Sequence, residues 1–137
     1  MWKYYALLSA FFAALTAVLA KVGVKGINGN LATAIRTTVV LFLAWGIVFF
    51  CGQFKEIKEL SKTNLVFLIL SGLATGLSWI FYFKALETGD VSKVAPIDKL
   101  SVVLVMVFSV VFLGEQMDVK TIVGGALIVI GAIVLVL

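Results

Sequence analysis

The chain has no histidine, one cysteine, one proline and few charges. Without histidine there is no imidazole metal site, no histidine-based triad and no histidine proton switch near neutral pH. Cys51 stands alone, so it forms no intrachain disulfide, and one thiol makes no zinc centre. It reads as a small apolar residue near a helix end. Pro96 leaves one obvious place for a kink. No cofactor and no metal are expected. Charged residues are 13% of the chain, against about 25% in soluble domains. What fills their place is apolar: 63% of the 137 residues, with a mean hydropathy of +1.20. A water-soluble globule this small cannot hide so much apolar surface. An ordinary soluble enzyme, a disordered chain and a nucleic-acid module are excluded, despite a pI of 9.3. The solvent for most of the chain is expected to be lipid.

A spanning helix needs about 20 mostly apolar residues. Five stretches qualify, at about 4–22, 31–52, 65–84, 94–114 and 119–137. Asn28-Gly29-Asn30 makes a turn between the first two. Residues 53–60 follow the second, and the Lys55/Glu59 spacing suits a short helix on the membrane surface. A polar loop is expected over 84–93 and a tight connector over 115–120. A β-barrel strand alternates lumen-facing and lipid-facing residues, and Val102 to Leu113 does not. Lys3, the apolar run and Val18-Leu19-Ala20 also resemble a signal peptide, but a multispan protein needs none. The expectation is one all-α membrane domain over residues 1–137, with no soluble part.

Five spans put the two ends on opposite sides. The N-terminal side carries Lys3, Lys55, Lys58, Lys62 and Lys120. The other carries Lys21, Lys25, Lys84 and Lys93, with Arg36 and Lys99 just inside helices that start there. Orientation is normally fixed by an excess of cations on one side, and here the excess is close to nothing. Two readings stand: dual topology with antiparallel pairing, or a weak N-in bias from the three lysines of the 53–64 loop.

A charge inside a span costs roughly 2.5–3.5 kcal/mol at the centre, and less near the ends. Arg36, Asp98 and Lys99 lie four or five residues inside their spans, and Lys21 and Lys84 sit at span ends on the same side. A shared depth points to a polar vestibule. The bland reading is snorkelling lysines. Asp98 has too short a stem for that, and its sequence neighbour Lys99 should point about 100° away. Asp98 is therefore expected to meet a cation from another helix, as a structural clasp or as part of a substrate contact. Pro96 bends the backbone beside Asp98 only if the helix starts before Val94; otherwise it is a first-turn residue.

Gly72 and Gly76, and Gly124, Gly125 and Gly131 in the last span, are small residues that permit close helix packing. The packing is either within the chain or, in the sharper reading, between copies through the last helix. Trp79 and Tyr82 share a helix face, and with Trp45 they form a candidate cavity lining. The alternative is an aromatic belt, which suits Trp2, Tyr4 and Tyr5 better.

The stretch from Trp79 to Ile97 resembles the EamA repeat of the drug/metabolite transporter superfamily, as do Leu113-Gly114-Glu115 and the later Gly124 and Gly131. The first two helices fit more loosely, with Arg36 near that family's basic residue. Family members mostly resemble two five-helix repeats fused in opposite orientations. The resemblance therefore implies a half-size transporter, completed as an antiparallel homodimer, in the cell membrane of a bacterium or archaeon. It departs from the related four-helix multidrug pumps, whose first helix carries a glutamate; here that helix has no acid, so their proton-for-drug exchange is doubtful.

The expected function is alternating-access transport of a small polar or amphipathic metabolite, amino-acid-like or drug-like. Arg36, Asp98 and Lys99 would shape the polar part of the pathway, and Trp45, Trp79 and Tyr82 the apolar part. The alternative is a non-transporting membrane subunit that stabilises a partner complex. The expected partners are lipid, a small solute and a second copy, not nucleic acid. An enzyme is not expected, because no nucleophile–base constellation exists without histidine.

Overall fold

The computed structural model describes residues 1–137. It is all helical: α1 is Trp2–Gly23, α2 Gly29–Phe50, α3 Lys62–Thr88, α4 Val91–Asp98, α5 Ser101–Leu113 and α6 Val119–Val136. A 3₁₀ turn occupies Gln53–Glu59. Five segments are long and apolar enough to cross a membrane, with α4 and α5 together forming the fourth, Val91–Leu113.

The ends of these helices follow local chemistry. Gly26, with φ +76°, turns the chain after α1, and Asn28 caps α2 by accepting the Asn30 N–H at 2.8 Å. Gly52, with φ +70°, turns it out of α2. Asp118 caps α6 by accepting the Thr121 N–H at 3.0 Å and the Thr121 hydroxyl. Polar side chains within the spans satisfy themselves on their own helix, as lipid requires. Thr33, Thr37 and Thr75 each donate to the carbonyl four residues back, at 2.7–2.8 Å.

Three expectations are corrected. The third helix runs to Thr88, so the polar loop shrinks to Gly89 and Asp90. Charge at Lys84 and Glu87 lowers hydropathy without lowering helix propensity. The segment after α2 is 3₁₀, a geometry that eclipses i and i+3 instead of pairing i with i+4, and Lys55 and Glu59 form no ion pair. The fourth span is broken. It starts at Val91, so Pro96 is interior, and the backbone tightens to i→i−3 bonds across Lys99–Val103. A proline inside a helix removes a donor and crowds the carbonyl four residues earlier.

The chain divides into two compact units. Residues 1–18 and 89–137 form one, in which α6 packs on α4 and α5. Gly125 is buried there, and a Cβ on it would stand 2.7 Å from Met106 Sδ. Residues 19–88 form the other, in which α2 packs on α3 and on the 3₁₀ turn. Its buried apolar side chains, Ala20, Val24, Ala32, Phe83 and Leu86, gather where the α1–α2 turn meets the end of α3. Most other large apolar side chains face outward, Phe50 and Phe112 among them. In lipid that exposure carries no hydrophobic cost.

Candidate functional site

The contacts of α2 and α3 set an antiparallel register. The Gly29 N–H donates to the Glu87 carboxylate. Seven residues further along α2, the Arg36 guanidinium lies 4.5 Å from the Trp79 ring centre and 5.4 Å from that of Phe83. Trp79, Phe83 and Glu87 recur at i, i+4, so they share one face of α3. Tyr82, half-buried, is within electrostatic reach of Arg36. A cation held on ring faces gains about 0.5–1 kcal/mol at exposed sites and about 2 when desolvated. Arg36 is itself half-buried, about 10.5 Å along α2 from Gly29 at 1.5 Å per residue.

Trp45 belongs to a different cluster. It lies nine residues beyond Arg36, and its ring centre is 6.2 Å from that of Phe49 and 6.4 Å from that of Phe54. Phe49 and Phe54 stack at 4.8 Å. These rings fasten the 3₁₀ turn to the far end of α2.

Two contacts close the opposite end of this unit. Lys21 Nζ donates to the Leu86 carbonyl at 2.6 Å. That carbonyl lies in the last turn of α3, where acceptors lack intrahelical donors and a cation is favoured. The Glu87 carboxylate in turn meets the N-terminus of α2, where an anion is favoured. Gly29 permits the approach: an added Cβ would stand 2.5 Å from Glu87 Oε1 and 3.4 Å from the Lys84 backbone N. Beside these contacts opens a cleft of about 710 Å³, lined in part by Lys25, Asn28, Glu87 and Thr88. Sequence reasoning placed Glu87 in a loop and Gly29 in a turn. The usable signal was the i, i+4 series ending at Glu87.

In the other unit, Lys99 Nζ lies 3.7 Å from Asp98 Oδ2, with side chains 57% and 40% exposed. The cation facing Asp98 there is its sequence neighbour. The 100° separation holds only within a regular helix, and this one ends at Asp98, leaving Lys99 at the cap with a long stem. An exposed pair of this kind contributes little to stability. At Gly72, Gly76, Gly124 and Gly131 an added Cβ would meet nothing within 4 Å. Outside the spans, the Thr121 hydroxyl and backbone amide hold the Asp118 carboxyl below its ordinary pKa. No three acidic or thiol side chains are grouped to hold a metal ion.

The family described as EamA-like transporters matches residues 1–137. A protein described as an uncharacterized transporter in the cobO 3′ region, from a Sinorhizobium species, is 52% identical over 134 residues. The match covers 98% of this chain and 95% of that relative. No solved structure matches the chain.

Proposed function

This chain belongs to the EamA-like transporter family, and from that premise we propose that it carries a small polar or amphipathic metabolite across the plasma membrane as a secondary transporter. Two copies inserted in opposite orientations form the pathway and alternate its access from side to side. Family membership and the five spans make the chain a multi-pass membrane transporter. The observation that carries the finer reading is a cation kept inside a span: Arg36 lies within α2, where a charge is costly unless it serves something. The half-size relative, covered over 95% of its length, supports a single repeat as the working protomer. The near-even spread of loop cations supports insertion both ways up. Arg36, Trp79 and Tyr82 form the inner part of the pathway, Asp98 and Lys99 its second polar patch, and Trp45 its apolar end. Gly72, Gly76, Gly124 and Gly131 are available for contact between copies.

Purified protein in liposomes tests this. Solute flux is expected from the wild type and not from empty vesicles, with large losses in Arg36→Ala and smaller ones in Asp98→Asn. Wild-type flux in both variants removes these residues from the mechanism. A stable monomer in detergent that carries nothing returns the reading to a non-transporting subunit. A reporter at the C-terminus found on one side only rules out dual topology.

A further inference from the structure

We infer that Arg36 is an oxyanion-binding residue, and that the transported solute carries a carboxylate or a chemically similar oxyanion. The inference rests on the transport reading and narrows its substrate class. Within its own unit the Arg36 guanidinium touches two ring faces, Trp79 and Phe83, and lies near Tyr82. No carboxylate pairs with it there: Glu87 is held by the Gly29 N–H, and the ion pair of the structure joins Lys99 to Asp98. Ring faces attract a cation but do not satisfy its five N–H donors. The aromatic seat therefore fixes the position of the charge and leaves its hydrogen-bonding capacity unspent. A planar guanidinium in that state matches the two oxygens of a carboxylate, or two of a phosphate, through paired N–H bonds.

Location adds to this. Arg36 sits two helical turns inside α2 from Gly29, and the cleft lined by Lys25, Asn28 and Glu87 opens at the Gly29 end. An anion entering there leaves water beside lysines and meets the guanidinium at depth. Low dielectric strengthens that pairing, and a neutral solute gains nothing equivalent.

The full chain in phosphatidylcholine nanodiscs tests the inference. Trp79, directly against Arg36, is the reporter, in a Trp2→Phe/Trp45→Phe background that leaves it the sole tryptophan. Acetate, benzoate, succinate and inorganic phosphate are titrated beside acetamide and benzamide, which share shape without charge. At least one anion is expected to change Trp79 emission saturably while the amides do not. Arg36→Gln should weaken that anion about 10- to 100-fold, the scale of hydrogen bonds to charged groups. Arg36→Lys, which keeps the charge and loses the fork, should fall between them. Equal binding of acid and amide, or unchanged binding in a folded Arg36→Gln protein, overturns the inference. So does a signal that answers to added phosphatidylglycerol but to no soluble anion, which assigns Arg36 to lipid. Loss of dimer mass in Arg36→Gln with no anion response also overturns it, since Arg36 would then serve a carboxylate of the second copy. Vesicle flux separates the two readings. Saturable anion binding without flux ends the transport reading and leaves the anion site standing. Flux of acid and amide alike, unchanged by Arg36→Gln, does the reverse.

Discussion

Arg36 and Asp98 each lie seven residues past the start of their own helix, and they are handled in opposite ways. Arg36 keeps its charge and is seated on Trp79 and Phe83, inside an unbroken helix of 22 residues. Asp98 is paired at 3.7 Å with the next residue, at the point where the span is interrupted two residues past Pro96. The first arrangement maintains an unneutralised cation at the expense of two aromatic side chains. The second neutralises locally and exposes the result. A charge pinned by groups that cannot satisfy it is available to a ligand, whereas a charge satisfied by its neighbour is mostly a feature of the backbone break.

Substitutions test that contrast, and the largest effect belongs to the seat itself. Arg36→Gln should lower flux by about 10- to 100-fold, the loss of a charge-assisted contact, with the helical circular-dichroism signal retained. Replacing Asp98 and Lys99 together by Asn and Gln should lower it several-fold less, because their pair is already neutral. Equal losses would erase the distinction. Next in size is the break. An interior proline costs a helix about 3 kcal/mol relative to alanine, a cost that falls on the turn before it. Pro96→Ala should therefore stiffen α4 through a new bond to the Ser92 carbonyl. Slower hydrogen exchange at Lys99–Val103 would show that the break downstream depends on it too. Unchanged exchange there would mean that Lys99 and Leu100, not Pro96, set the interruption. A smaller effect is expected at Gly29. Alanine there gains only part of the about 0.5–1 kcal/mol of a helix interior, because Gly29 is the first residue of α2, and its Cβ displaces the Glu87 carboxylate. Gly29→Ala alone should leave the thermal midpoint nearly unchanged, and in a Glu87→Ala background it should raise it. A midpoint that falls in both backgrounds would point to the Lys84 backbone as the obstacle.

The smallest effect is at Asp118, outside the spans. Its folded pKa is lowered by Thr121. The stabilisation is therefore complete above the ordinary carboxylate pKa and fades as pH falls through the lowered folded value. The midpoint gap between wild type and Asp118→Asn should narrow on acidification. A gap that widens would contradict the sign.

The spans and the fold class were legible because hydropathy measures what lipid requires, and apolar residues are enough to supply it. Span ends were less legible. Lys84 and Glu87 look like loop residues by hydropathy, yet both are good helix formers, and α3 continues through them to Thr88. The break after Asp98 was half legible: Pro96 marked it, but its effect depended on where the helix began. Arg36 stood out by its cost, whereas its seat did not. Trp45 and Trp79 are equivalent by composition, and only the register of α2 against α3 gives Arg36 to Trp79 and sends Trp45 to Phe49 and Phe54. The partner of Gly29 was hidden for the same reason. Glu87 is far from it in sequence, and nothing local records which helix end a carboxylate will meet.

The lengths of the helices have a consequence for the surrounding bilayer. The 27 residues of α3 span about 40 Å and the 18 of α6 about 27 Å, while the hydrocarbon layer is about 30 Å thick. The polar ends of α3, Lys62–Asn64 and Lys84–Thr88, extend it past the apolar layer, and the apolar stretch between them, Leu65–Phe83, is about 28 Å long, close to the length of α6. Acyl-chain length therefore acts on the two helices in the same direction: a thicker membrane strains both apolar stretches, and a thinner one relieves them. Carrier turnover should fall as lipid chains lengthen, which makes membrane thickness a control on this protein separate from its solute.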